Sequence, residues 1–346
     1  MGSGRIKSDR IRAYTRSVID TPDGTKLDAT TYHTNPNHEI GGVIVTHGLG
    51  RRFAQQYPLE LSGTPDDAEK ALAMELASRG FRSLIYSHRG HNGSGGALSF
   101  RDSIRDLEFV SERFAEEYEG NLFAAGFSMG GWATLHVAAK RPDLYQAVVP
   151  ICAPNSMRDV LPDWMHGLIR TIIGNPRYEG LGRYVIAGVK IWVLNGGSAL
   201  GFLKELATNP EEREKLFTHI GECRLPDRLH ELYIDLVKSP DIGGLEGQIE
   251  TPILLLHPEK DGLVYRKGEK DKYLDVFRRK AVNFQEVMIP GATHRCSRKG
   301  RSILEMETEY ADMIAEFFLD HVKVGEPEVP APADTTTESV EMKQSA

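Results

Sequence analysis

Apolar residues along this chain gather in short runs separated by amphipathic stretches, and that rhythm sets the fold class before any single residue is weighed. "GGVIVTHG", "FRSLIY", "NLFAAGF", "QAVVPIC", "TPILLLH" and "NFQEVMI" are short and bounded by polar or turn-forming residues, as strands of a wrapped sheet are. Helices are predicted between them, from about Asp66 to Arg79, from about Asp102 to Tyr118, and from Ser128 to about Lys140, where Pro142 stops the last. Two earlier runs, "AYTRSVI" and "KLDATTY", flank "DTPDGT", whose Pro22-Asp23-Gly24 supplies hairpin turn chemistry. A final amphipathic helix is predicted from about Ile303 to Val322. Strands alternating with helices predict an α/β fold, a mostly parallel eight-stranded sheet with helices on both faces.

The alternation stops between about Ala153 and Gly247. That stretch is helical in character, with Trp164, Met165, Trp192, Leu194 and Phe202 among its apolar residues, and it reads as an insertion over 155–247 between two core parts, 13–154 and 248–324. Residues 1–12 are polar and basic and read as a flexible lead. Residues 325–346 are Pro-rich, acidic and poor in apolar side chains, so burial cannot offset their ordering entropy and a disordered tail is expected. The most membrane-like run, 184–203, is broken by Lys190, Asn195 and Gly196-Gly197; a spanning helix needs about twenty predominantly apolar residues, so membrane contact is expected to be peripheral at most.

Composition narrows the classes. With 346 residues, 40% of them hydrophobic, the chain can bury a large core and fold as one big domain or as a domain carrying an insertion. A formal net charge of -7 offers no general attraction to phosphate, which argues against a nucleic-acid partner. Three widely spaced cysteines, Cys152, Cys223 and Cys296, form no C-x-x-C pair and read as reduced thiols. The N-terminal stretch has no apolar h-region and no myristoylation signal, so a cytoplasmic protein is expected.

Candidate chemistry centres on "GFSMGG", residues 126–131, where Ser128 stands between glycines at a predicted strand-to-helix junction. Gly126 and Gly130 relieve the clashes of a sharp turn around a serine. A serine hydroxyl is a weak nucleophile that needs a base within hydrogen-bond reach, itself oriented by a third group. His294 follows the predicted strand "NFQEVMI" in "PGATH", and Asp261 follows "TPILLLH" in "PEKDGLV", with Glu259 as the alternative acid. Both would project from the carboxyl edge of the sheet, where Ser128 also sits and where ligands bind in open α/β sheets.

"HGLG" at 47–50, "GFSMGG", Asp261 in "EKDGLV" and His294 in "GATH" together resemble the α/β-hydrolase family over residues 15–322. The resemblance implies a serine hydrolase in which Ser128 attacks a carbonyl, His294 shuttles the proton and Asp261 orients the imidazole. It implies an oxyanion hole from the backbone N–H groups of Met129 and Leu49, a helical cap in residues 155–247, and no metal or organic cofactor. "SHRGHNGSGG", carrying His88 and His91, resembles the family's D-x-R-G-H-G-x-S loop, with Ser87 in the acid's place and Asn92 inserted; that loop supports the site, and His91 is the alternative catalytic histidine. His257 is expected to cap a strand and Cys296 to be a small apolar packer. Arg51, Trp164 and Trp192 are substrate-binding candidates, the first because a guanidinium pairs with a carboxylate or phosphate, the tryptophans because an apolar lining suits an acyl chain. The expected partner is a small molecule with an apolar acyl group, cleaved at an ester or thioester bond. An amide bond, acyl transfer to another acceptor, and a non-catalytic binding module are the alternatives, and the oligomeric state is not readable.

Overall fold

The computed structural model describes residues 13–50, 68–118, 120–161, 163–173, 219–220, 223–265, 268–294, 296 and 303–323. Ten strands are found among them: β1 (Ala13–Asp20), β2 (Lys26–His33), β3 (Gly41–Thr46), β4 (Phe81–Tyr86), β5 (Leu122–Phe127), β6 (Ala147–Ile151), β7 (His219–Ile220), β8 (Cys223–Arg224), β9 (Ile253–Lys260) and β10 (Phe284–Thr293). The helices are α1 (Ala68–Ser78), α2 (Phe100–Glu117), α3 (Met129–Lys140), α4 (Asp163–Ile173), α5 (Leu229–Val237), α6 (Lys270–Lys280) and α7 (Ile303–Leu319).

Eight strands form one sheet in the order β1-β2-β4-β3-β5-β6-β9-β10. β1 pairs antiparallel with β2, and β2 antiparallel with β4; every later pairing is parallel. The period of two decides which helix each strand residue meets. Along β3, Ile44 joins the cluster containing Leu107, Val110 and Phe114 of α2, Trp132 and Leu135 of α3, and Phe277 of α6. Its neighbours Val43 and Val45 join the opposite cluster with Leu72 and Leu76 of α1 and Ile314 and Phe318 of α7. Both faces are covered, which is why β3, β5 and β6 are buried along their whole length and read in sequence as continuous apolar runs.

Chain order reverses at β3: β4 lies on one side and β5 on the other. The loops leaving β3 and β5 therefore diverge, opening the kind of crevice where α/β folds bind ligands.

Several expectations are corrected. α2 begins at Phe100 rather than near Asp102, because Ser99 is extended (φ −144°) and its Oγ accepts the Asp102 N–H at 3.2 Å. Residues 153–247 are not helical throughout: β7 and β8 make a small antiparallel pair within them. His257 does not cap a strand but lies buried inside β9. β10 runs on through Thr293 with a register shift after Ile289, where Pro290 lacks an N–H for the ladder. Among the described residues no helix is long and apolar enough to cross a membrane; the 184–203 run lies outside them, as do residues 1–12 and 325–346.

Candidate active site

β5 ends at Phe127 and α3 begins at Met129, so Ser128 alone makes the turn, at φ 51° and ψ −115°. The Ser128 N–H donates to Ile151 O at 2.7 Å and its carbonyl accepts the Trp132 N–H at 2.9 Å, bonds that hold a backbone conformation costing about 1–3 kcal/mol. Glycines are required around it. A Cβ on Gly126 would lie 2.5 Å from Thr46 Oγ1 and from the Gly130 carbonyl carbon, and a Cβ on Gly130 would lie 2.5 Å from Thr46 Oγ1 and 2.8 Å from His47 O. The start of α3 thus packs directly on the end of β3.

The Ser128 Oγ lies 2.9 Å from His294 Nε2, and His294 Nδ1 lies 2.9 and 3.0 Å from the two carboxylate oxygens of Asp261. This network assigns the imidazole proton: Nδ1–H donates to the carboxylate, leaving Nε2 to accept the hydroxyl proton of Ser128. Asp261 is buried, and its Oδ1 also accepts the N–H groups of Leu263 and Val264, each at 3.1 Å. A buried carboxylate needs such partners. His294 keeps 21% of its side chain exposed while Asp261 has none, so the run of hydrogen bonds opens to solvent at its histidine and serine end. Glu259 is occupied elsewhere: it lies exposed, and its Oε2 accepts the Gly291 N–H at 2.7 Å at the irregular end of β10.

Behind the loop that follows β3 lie three buried histidines whose rings meet edge-on, His47 at 4.7 Å from both His88 and His91. His47 Nε2 accepts the His88 N–H at 2.9 Å, so Nδ1 carries the proton and donates to Gly48 O at 2.7 Å. That bond fixes the plane of the Gly48–Leu49 peptide, and because a trans peptide points its C=O and N–H oppositely, the Leu49 N–H faces away from His47. His91 Nδ1–H donates to Arg89 O and Nε2 accepts the Gly50 N–H, both at 3.2 Å. Burial pushes His88 down to about 3 and His91 down to about 4, which keeps both neutral at physiological pH. A Cβ on Gly48 would lie 3.2 Å from Ser128 Cβ, so this loop passes directly beside the serine. Met129 is buried as the first residue of α3, where helix N–H groups have no partner within the helix.

Ser128, His294 and Asp261 are thus brought together, and the Leu49 loop and Met129 adjoin them. His91 does not reach them; it supports the Leu49 loop instead. Arg51 and Trp192 lie outside the described residues, as does the side chain of Trp164 in α4. Sequence reading missed that residues 223 and 224 sew onto the loop after β4. Arg224 N–H donates to Gly90 O at 2.7 Å and its carbonyl accepts the Leu98 N–H at 2.9 Å, with a bridge between Cys223 and His91. It missed also that Asp235 of α5 accepts the Phe100 N–H at 2.6 Å at the start of α2.

Residues 67–182 match a family model described as "Serine aminopeptidase, S33". Among solved structures, a hydrolase from Pseudomonas aeruginosa superposes with a TM-score of 0.57 at 14% identity, covering 88% of this chain and 98% of that one. An esterase from Pyrococcus furiosus gives 0.53 at 17% identity, covering 90% and 94%. A monoacylglycerol lipase from Paleococcus ferrophilus gives 0.53 at 19% identity, covering 85% and 99%. At these identities the likeness is one of fold.

Proposed function

We propose that the chain, which matches the serine aminopeptidase family model over residues 67–182 and shares its fold with the hydrolases above, is a cytoplasmic serine hydrolase of the α/β-hydrolase superfamily, cleaving a carboxylic ester or thioester through an acyl-enzyme intermediate. One observation carries the reading: the unbroken run of hydrogen bonds Ser128 Oγ, His294 Nε2, His294 Nδ1, Asp261.

In this mechanism Ser128 Oγ attacks the substrate carbonyl carbon as His294 Nε2 takes its proton. Asp261 holds the imidazole in the tautomer that leaves Nε2 free to accept and stabilises the imidazolium that forms. The oxygen of the tetrahedral intermediate receives the N–H groups of Met129 and Leu49, the second preset by the His47 bond to Gly48 O. His294 then protonates the departing alcohol or thiol, and the acyl group stays on Ser128. Water, deprotonated by His294, attacks the acyl-enzyme and repeats the sequence, releasing a carboxylic acid. The Ser128 proton leaves with the alcohol or thiol and is replaced, through His294, by one from the attacking water, so both side chains end the cycle as they began.

We read residues 155–247 as a cap whose apolar side chains receive the acyl group of a small-molecule substrate, with Trp164, Trp192 and Arg51 as its contacts. The esterase and the monoacylglycerol lipase that share this fold favour an ester bond. The aminopeptidase description of the matched family favours a second reading, an amide bond on the same machinery.

A fluorophosphonate probe tests the core of the proposal. Labelling of the wild type and not of Ser128→Ala is the expected result; no labelling of either would leave a binding module. Aryl esters of graded acyl length, acyl thioesters and aminoacyl amides, assayed with the serine variant as blank, then identify the bond. Product analysis with added alcohol or amine separates hydrolysis from acyl transfer.

A further inference from the structure

Two thiols meet beside the site. Cys152 Sγ and Cys296 Sγ lie 2.8 Å apart across 144 positions of sequence, both cysteines buried. Cys152 directly follows β6: its N–H donates to Leu256 O at 2.9 Å, and the carbonyl of Ile151 just before it accepts the Ser128 N–H at 2.7 Å. Cys296 closes the turn that carries His294, its N–H donating to Thr293 O at 2.8 Å and its carbonyl accepting from Tyr310 Oη–H at 3.1 Å. Cys152 Sγ, a carboxylate oxygen of Asp261 and a ring nitrogen of His294 all lie within 4.8 Å of one another. Each thiol is therefore one or two residues from an element that sets the Ser128–His294 geometry.

The backbone adds a second observation. Cys152 and Cys296 sit at φ 49° and 53°, the left-handed region that glycine enters without a Cβ clash and other residues enter under strain. A side chain is present at both positions against backbone preference, and the two side chains converge on one point.

We propose that Cys152 and Cys296 are a peroxide-oxidisable dithiol whose disulfide clamps the His294 turn to the strand end that anchors Ser128. One thiolate attacks a hydroperoxide, breaking the O–O bond to give a sulfenic acid and, for hydrogen peroxide, water. The second thiol attacks that sulfur, forming the S–S bond and releasing a second water. Two sulfurs lose one electron each and the peroxide gains both. The thiol contact and the Ser128–His294–Asp261 hydrogen bonds coexist in one geometry, so the new bond holds that arrangement assembled. It also closes a long loop, which constrains the unfolded chain. A thiol reductant reverses the change.

Hydrogen peroxide acting on the full chain, followed by alkylation of free thiols under denaturing conditions and peptide mass analysis, tests this without reference to activity. The expected products are a mass loss of two hydrogens, a Cys152–Cys296 cross-linked peptide and alkylated Cys223. The Tm should rise by about 5 °C and return on reduction. Cys152→Ser and Cys296→Ser should each lose the cross-link and the shift; if either fails to fold, the oxidised and reduced wild type carry the comparison alone. Three alkylated cysteines after peroxide, a cross-link through Cys223, or a cross-linked protein whose Tm does not rise would overturn the proposal.

Discussion

His91, from the loop after β4, accepts the backbone N–H of Gly50, from the loop after β3, at 3.2 Å. The same 90–98 loop is paired on its other side by Arg224. Residues 223–224 are thereby connected to the Leu49 loop through the His91 imidazole. His91 is thus a positioning residue in the proposed mechanism, acting on the oxyanion loop without touching substrate. His91→Ala should lower kcat by roughly 10-fold or more while KM changes little, since an oxyanion donor is worth about 10²–10³ in kcat and here is displaced rather than deleted. His91→Gln, whose side-chain carbonyl can still accept the Gly50 N–H, should recover part of the loss. Steady-state kinetics on one short ester decides it; equal kcat for wild type and His91→Ala would assign His91 to packing alone.

The three residues at the serine end should fail as a unit. His294→Ala is expected to reduce kcat as severely as Ser128→Ala, because removing either disables the same step. Asp261→Asn should cost up to about 10⁴-fold by favouring the wrong imidazole tautomer. The Leu263 and Val264 N–H groups that now bond Asp261 Oδ1 would keep the asparagine carbonyl oriented and present its NH₂ to His294. Glu259→Gln is the matched control, since Glu259 lies at the Gly291 end of β10. Near-native activity in His294→Ala would refute the assignment of the base.

How much of this was legible in the sequence follows from how local each cause is. β3, β5 and β6 were legible because a parallel strand covered on both faces must be apolar at every position, and Val43, Ile44 and Val45 are. The turn at Ser128 was legible because close packing of β3 against α3 leaves no room for a Cβ at Gly126 or Gly130. The start of α2 was written locally as well, in Ser99 three residues before Asp102. The β7–β8 pair was not legible: two residues per strand carry no period, and its partners lie in the 90–98 loop, far off in sequence. The meeting of Cys152 with Cys296 was hidden for the same reason, since wide spacing says nothing about residues that follow β6 and β10, two strands with β9 between them in the sheet, and that meet only through the loops beyond their ends. Histidine tautomers, which orient the Leu49 peptide, exist only once the hydrogen-bond network does.

Acid should destabilise the fold through its buried histidines. His88 is pushed down to about 3 and His91 to about 4, chiefly by burial, whereas an unfolded histidine titrates near 6.5. Between those limits the unfolded chain binds more protons, so stability rises with pH. The contribution is complete above about pH 6.5 and is lost as the pH falls toward 4, at about 2 kcal/mol per histidine by pH 5. Urea denaturation at pH 7 and pH 5 should show the midpoint falling, and His91→Gln should reduce the difference by removing one titrating group. An unchanged midpoint would mean that these rings gain protons without unfolding.

Arg89, between His88 and Gly90, ties this loop to the rest of the core. Its Nε donates to Asp106 Oδ2 at 2.7 Å and its Nη2 to Asp106 Oδ1 at 2.5 Å, while Nη1 donates to Asp23 Oδ2 at 3.0 Å. One guanidinium thereby joins the loop to α2 and to the β1–β2 turn. Asp106 is 2% exposed, so Arg89→Met would leave its carboxylate buried opposite a thioether, a change that costs about 3–5 kcal/mol where a buried pair loses one partner. Arg89→Lys keeps the charge but cannot span Asp106 with two parallel bonds, and should fall between. The double variant Arg89→Met with Asp106→Leu removes the orphaned charge and should be more stable than Arg89→Met alone. Denaturant midpoints for the wild type, Arg89→Met, Asp106→Leu and the double variant form the cycle. If the double variant were the least stable of the four, the ion pair would not be the source of the loss, and the Arg89 stem's packing would be.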